Sequence, residues 1–206
     1  MIAIIDYGMG NLKSIENSLK LLNIEFVITN NKEAIQKANA LILPGVGAFK
    51  QAMENLRKNN LDKILIEEAN KDKYILGICL GMQLLFEKGF EGEECKGLGL
   101  IEGEIKKIEP LEKVKIPHMC WNKLLINKEN GIINNIYGDN FVYYVHSFMA
   151  TEYKNGDLIA YSEYGGIKIP GIVRRKNIIG MQFHPEKSGE TGLNLLKKFG
   201  EMILWL

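Results

Sequence analysis

Tyr74-Ile75-Leu76-Gly77-Ile78-Cys79-Leu80-Gly81-Met82-Gln83-Leu84-Leu85-Phe86 is the stretch that decides how this chain is read. Tyr74, Ile75 and Leu76 form a short apolar run suited to a buried strand, and Met82, Leu84, Leu85 and Phe86 continue as a helix. Between them, Gly77-Ile78-Cys79-Leu80-Gly81 is the thiol version of a nucleophile elbow, a sharp strand-to-helix turn that lifts one reactive side chain clear of a sheet. Glycines at 77 and 81 remove the Cβ atoms that would collide where the strand reverses into the helix. At a helix N-terminus, unpaired N–H groups and the macrodipole favour a thiolate, the form of sulfur that attacks a carbonyl carbon. The competing reading of Cys79 is a buried structural cysteine, the usual fate of a free thiol.

On both sides of the elbow, strand-like and helix-like segments alternate. Met1 to Ile5 is a short apolar strand, after which Leu12, Ile15, Leu19 and Leu22 recur at steps of three and four, giving a helix with one apolar face. Phe26 to Thr29 and Ala40 to Leu43 are further strands, with helices near Phe49 to Arg57 and Leu61 to Lys71. This order predicts an α/β fold, a mostly parallel central sheet flanked by helices. After Gly97 the texture changes to strands separated by Gly, Asn and Asp turns, as in Ile101 to Ile108, Phe141 to Val145 and Leu158 to Tyr161, which predicts additional antiparallel strands in the C-terminal half. Leu193, Leu196, Phe199 and Ile203 mark a closing amphipathic helix.

A nucleophile needs a base, and the chain offers three histidines. His118 follows Pro117, and His146 ends the aromatic run Phe141-Val142-Tyr143-Tyr144-Val145; both read as structural, since an amphipathic ring readily fills a half-buried position. His184 ends the apolar strand Ile178 to Phe183, and the proline after it biases it toward extended backbone. Residues two apart in an extended segment project to one side, so Glu186 is placed to hold the His184 ring in one tautomer, as the acid does in a Ser-His-Asp triad. Cys79, Cys95 and Cys120 with these histidines show no close ligand pair, so no metal and no cofactor is expected.

Composition narrows the partners. The 206 residues are enough for one domain with a substantial core. A balance of 26 basic against 25 acidic residues argues against nucleic acid as the main partner. No apolar run has spanning length and no leader is visible, so a membrane association is not expected and a cytoplasmic setting is; an odd cysteine count suits reduced thiols there. Asp6-Tyr7-Gly8-Met9-Gly10-Asn11 follows the first strand but has Lys13 where a dinucleotide loop needs its third glycine, so nucleotide binding is set aside.

Gly77 to Gln83 together with Phe183-His184-Pro185-Glu186 resembles the triad (class I) glutamine amidotransferase family. The resemblance runs from Ile4-Ile5-Asp6-Tyr7-Gly8 to the last helix, so residues 1–206 are read as one such domain. Pro44-Gly45-Val46-Gly47-Ala48-Phe49, Pro117-His118-Met119 with Trp121-Asn122, Val145-His146-Ser147 and Glu186-Lys187-Ser188 narrow it to the branch that serves histidine biosynthesis.

The resemblance implies that Cys79 attacks the side-chain amide of glutamine and that His184, oriented by Glu186, moves the protons. The oxyanion needs preorganised N–H donors. Leu80, next after the nucleophile, offers one. The loop Pro44-Gly45-Val46-Gly47 reads either as an ordinary strand-to-helix turn or as the second source, and the resemblance implies the N–H of Val46. By the same matching, Gln83, Glu91, Ser147 and Phe148, with backbone near Gly47, hold the substrate; for each side chain the plain alternative is a surface or packing role. Nothing in the chain looks like a second active site, so the resemblance implies a separate (β/α)8 barrel cyclase or synthase subunit that receives the ammonia. Asn11, Met119, Trp121 and Lys187 would lie at that docking face, although a tryptophan is as readily a core residue as an interface anchor. One departure is Cys120, where the family usually has glycine. It leaves open a paralogue that feeds a different synthase, such as one amidating a surface sugar. Outside the family, a cysteine peptidase and a silent scaffolding domain are the competing classes.

Overall fold

The computed structural model describes residues 1–134 and 140–203. Strands and helices follow in the order β1 (Ile2–Ile5), α1 (Leu12–Leu21), β2 (Phe26–Thr29), α2 (Lys32–Lys37), β3 (Ala40–Leu43), α3 (Phe49–Lys58), α4 (Leu61–Asn70), β4 (Tyr74–Ile78) and α5 (Leu80–Leu84). They continue with β5 (Phe86–Gly89), β6 (Cys95–Lys96), β7 (Ile101–Lys107), β8 (His118–Lys123), β9 (Leu125–Ile126), β10 (Phe141–His146), β11 (Phe148–Thr151), β12 (Leu158–Tyr164), β13 (Ile167–Arg175), β14 (Ile178–Met181) and α6 (Gly189–Ile203). Short 3-10 turns cover Asn155–Asp157 and Pro185–Lys187.

Among the described residues the main sheet has eight strands in the order β2-β1-β3-β4-β14-β13-β12-β9. The first five run parallel, and β13, β12 and β9 extend the sheet antiparallel. β1, β3 and β14 are buried at every residue, the continuous apolar reading that a sheet covered on both faces requires. One face packs with Leu56 of α3 and Leu65 of α4, the other with Ile15 and Leu19 of α1 and Leu195 and Phe199 of α6. The fold is therefore the α/β architecture read from the sequence.

One local expectation is corrected. The helix after the elbow ends at Leu84, and Phe86 opens β5 instead of continuing it. Tertiary pairing is the reason, because Leu98 donates to the Leu84 carbonyl and Leu100 and Ile101 to that of Leu85. Helix α2 went unread because Ile35 is its one buried residue and gives no period; its signal is the cap, with the Asn31 side chain accepting from the Ala34 N–H at 3.0 Å. In the smaller sheet β11-β7-β5-β6, β7 pairs antiparallel with β11, one of the additions expected after Gly97, and parallel with β5, which precedes it.

Register places the site. In the parallel pair β4–β14, Ile78 lies opposite Met181, so Cys79 and Gln182 leave the sheet side by side, and the Cys79 N–H donates to the Met181 carbonyl at 2.8 Å. Leu43 of β3 lies opposite Gly77, so the loop from Pro44 to Gly47 emerges at the same edge. This is the carboxyl end of the parallel strands, where open α/β sheets bind ligands.

Candidate active site

Cys79 holds φ +54° and ψ −112°, a conformation that costs a non-glycine residue about 1–3 kcal/mol and persists only where packing enforces it. The enforcement is visible at the two framing glycines. A Cβ on Gly77 would lie 2.6 Å from the Gly81 oxygen, and one on Gly81 would lie 1.8 Å from the Leu43 oxygen. The elbow is thus wedged against the end of β3. Leu80 opens α5, where first-turn N–H groups have no intrahelical acceptor.

His184 is almost fully buried, and its Nδ1 lies 2.8 Å from the Glu186 Oε1. His184 is extended, as expected, but Glu186 reaches it from the 3-10 turn Pro185–Lys187, so the same-side geometry of a strand is not what joins them. Carboxylate on Nδ1 fixes the tautomer with Nε2 toward the cleft. Nε2 makes no well-aligned hydrogen bond to a described protein atom, although Cys79 lies near enough to influence its titration. Burial lowers the His184 pKa, but Cys79 and then Glu186 outweigh it and push it up to about 9.

These groups open into a cleft of about 370 Å³. Val46, Gly47, Cys79, Leu80, Gln83, Glu91, Ser147, Phe148 and His184 all line it, so the residues singled out in the sequence for the nucleophile, the base, the oxyanion and the substrate come together. Two of them are already engaged. Glu91 Oε2 accepts from the Phe49 N–H at 2.8 Å, capping α3, whose own cap residue Ala48 supplies no side-chain bond. Gln83 Nε2 donates to the Phe148 carbonyl at 3.0 Å and to Gln182 Oε1 at 3.1 Å.

His118 and His146 read as structural, and both are buried with their ring nitrogens engaged. His146 Nδ1 donates to the Phe148 carbonyl at 2.8 Å; its Nε2 therefore accepts from His118 Nδ1 at 3.0 Å, and Asn122 donates to His118 Nε2 at 3.3 Å. Burial lowers the His118 pKa to about 4 and the His146 pKa to about 3, so both rings are neutral.

Sequence reading missed four contributors. Pro117 and Val145 also line the cleft. The Tyr7 hydroxyl, buried, donates to the Pro44 carbonyl at 2.7 Å and so holds the start of the 44–47 loop. Gln182 could have been found, because it stands two residues before His184 and so shares its side of an extended chain.

The four residues matched to a docking face lie on adjoining elements. Asn11 caps α1, α1 packs on the turn that carries Lys187, that turn packs on β10, and β10 pairs with β8. On β8, Met119 is 60% and Trp121 53% exposed, which answers the choice between core and surface for the tryptophan. Cys120 lies on the opposite, inward side of the strand with His118 and Asn122.

A strained cysteine elbow at the carboxyl edge of a doubly covered α/β sheet, beside a carboxylate-held imidazole in one cleft, is the arrangement that thiol-dependent acyl chemistry requires, and the molecule is of the class that carries it. The chain belongs to the class-I glutamine amidotransferase family, whose model matches residues 3–202. It is 50% identical over 203 residues to the imidazole glycerol phosphate synthase subunit HisH of Oceanobacillus iheyensis, covering 98% of this chain and 100% of that one. It is 52% identical to the subunit of the same name from Lactococcus lactis, covering 98% of each. Among solved structures, a glutamine amidotransferase superposes with a TM-score of 0.76 at 18% identity over the full length of both chains, and PurLQS from Thermotoga maritima with 0.74 at 16%, over 98% of this chain and 97% of that one; these likenesses concern the fold.

Proposed function

We propose that residues 1–206 are one glutaminase domain, the subunit that hydrolyses glutamine to glutamate and passes ammonia to a separate (β/α)8 barrel cyclase making imidazole glycerol phosphate, in the cytoplasm. The observation that carries the reading is the convergence of Cys79 and the Glu186-held His184 in one cleft. Near-complete coverage of relatives named as subunits of that synthase favours this acceptor over a sugar-amidating one. Cys120 does not oppose it, since its side chain faces away from the exposed Met119 and Trp121. Among the described residues no helix is long and apolar enough to cross a membrane.

Cys79 thiolate adds to the side-chain amide carbon of glutamine, and the N–H groups of Leu80 and Val46 receive the charge that develops on oxygen. With a pKa of about 9, the His184 ring carries a proton at neutral pH and gives it to the departing nitrogen, so ammonia leaves and a thioester remains. The ring, now neutral, takes a proton from water as the oxygen attacks the thioester; glutamate departs and the thiolate and imidazolium are restored. Gly47, Gln83, Glu91, Ser147 and Phe148 hold the substrate's backbone end. Both Gln83 amide hydrogens are spent within the protein, so it is the Oε1 that faces a ligand amine. Ammonium has no lone pair for attack, so direct transfer across a face built from Asn11, Met119, Trp121 and Lys187 preserves the nucleophile.

The test is glutamate release with the cognate synthase present. Cys79→Ala should abolish it while ammonium salts still support the synthase, and His184→Ala should cost orders of magnitude more than His118→Ala or His146→Ala. Full glutamate release by the Cys79→Ala protein removes the mechanism, and peptide cleavage without glutamine turnover replaces it with a peptidase.

A further inference from the structure

The sulfur of Cys79 has one side-chain amide beside it. Gln182 is fully buried, and its Nε2 lies 3.9 Å from the Cys79 Sγ. Which end of that amide faces the sulfur is decided several residues away. The Phe148 carbonyl is an acceptor only, so the group of Gln83 that meets it at 3.0 Å is the NH2, and the same NH2 then requires an oxygen from Gln182 at 3.1 Å. That turns the Gln182 NH2 toward the sulfur. His146 occupies the second lone pair of the Phe148 carbonyl, and because His118 and Asn122 donate in sequence behind it, every bond of the chain has one permitted direction.

We propose that Gln182 is a further catalytic residue, the hydrogen-bond donor that stabilises the Cys79 thiolate, with its amide locked in the donating orientation by Gln83 and the Phe148 carbonyl. The inference rests on Cys79 being the nucleophile. An N–H aimed at sulfur favours the anion, whereas the carbonyl of Val145, 4.0 Å away, accepts from the thiol and favours the neutral form. Gln182 thus opposes a neighbour that would quench the nucleophile. The titratable groups around Cys79 are His184, from the turn after β14, and Tyr7, from the end of β1, with His146 and Glu91 lining the same cleft. None of them donates to the sulfur through a well-aligned bond among the described residues, so the amide is the fixed donor of the set.

The test uses the full chain and iodoacetamide, with the modified cysteine mapped by peptide mass and Cys95 and Cys120 as internal references. Gln182→Met keeps the volume and removes the donor; Gln182→Glu keeps an acceptor for Gln83 and places oxygen at the sulfur. Both should slow Cys79 alkylation at neutral pH by about tenfold, the worth of one hydrogen bond to a charged group, while leaving the plateau rate at high pH unchanged. Glutamine kcat should fall with KM held, and Gln83→Met, which unlocks the amide, should reproduce part of the alkylation effect. If Gln182→Met or Gln182→Glu, folded by its melting curve, keeps the wild-type alkylation profile, Gln182 is not the donor even though Cys79 remains the nucleophile. If wild-type Cys79 reacts no faster than Cys95 and Cys120, the nucleophile reading falls and the inference with it.

Discussion

Replacing Gly81 by alanine tests whether the elbow works because it is pressed against the neighbouring strand. The added Cβ would sit 1.8 Å from the Leu43 oxygen, 2.8 Å from the Leu43 carbonyl carbon and 3.2 Å from that of Pro44. Ordinary carbon–oxygen contacts begin near about 3.3 Å, so the two segments must part by about 1.5 Å. Backbone against backbone has no side chain to rotate away, and overpacking of this kind costs about 1–3 kcal/mol, or about 3–10 °C in melting temperature for a chain of this size. The displaced segment leads directly into Val46 and Gly47, and moving a reacting group by about 1 Å costs on the order of a hundredfold in rate. Scanning calorimetry and a coupled glutamate assay measure the two effects on one sample. Gly156→Ala is the control: a Cβ there meets nothing within 4 Å, so activity should stay at the wild-type level and the melting temperature should hold or rise slightly. A Gly81→Ala protein that melts and turns over like wild type would refute the wedge.

Two predictions concern pH and one the docking face. His184 has its folded pKa raised to about 9, so its contribution to stability is complete below about pH 6.5 and lost as pH rises through about 9; melting temperature should fall across that window in wild type and less in Glu186→Gln, and equal slopes would count against the ion pair. His118 and His146 are neutral in the fold but take protons in the unfolded chain below about pH 6.5, so stability should decline from there toward pH 4, and a flat profile would show the rings are not held neutral. Trp121→Ala should weaken binding of the proposed partner subunit by about tenfold or more in titration calorimetry while leaving the melting temperature of the free chain in place; unchanged affinity would take the residue out of the proposed interface.

Local sequence determined the elements wherever chemistry and period agree within one segment. β2 and β3 match the read boundaries, and α3 and α4 do so to within a residue, because their apolar positions recur at strand or helix spacing. The elbow was legible for a related reason, since few uses other than a crowded reversal require glycine on both sides of one cysteine. Phe86 misled because its neighbours have helical spacing, whereas the carbonyls that end α5 are claimed by N–H groups more than ten residues away.

What the tertiary structure alone decided is adjacency and direction. Periodicity cannot say that β14 pairs with β4, yet that register sets Gln182 beside Cys79 and brings His184 to the cleft. Nor can sequence assign a proton along Asn122, His118, His146 and the Phe148 carbonyl, because the orientation of each amide and the tautomer of each ring depend on the acceptor at the end of the chain, contributed by a different strand. A residue's type fixes which bonds it can make, and only the packed fold fixes which of them it does make.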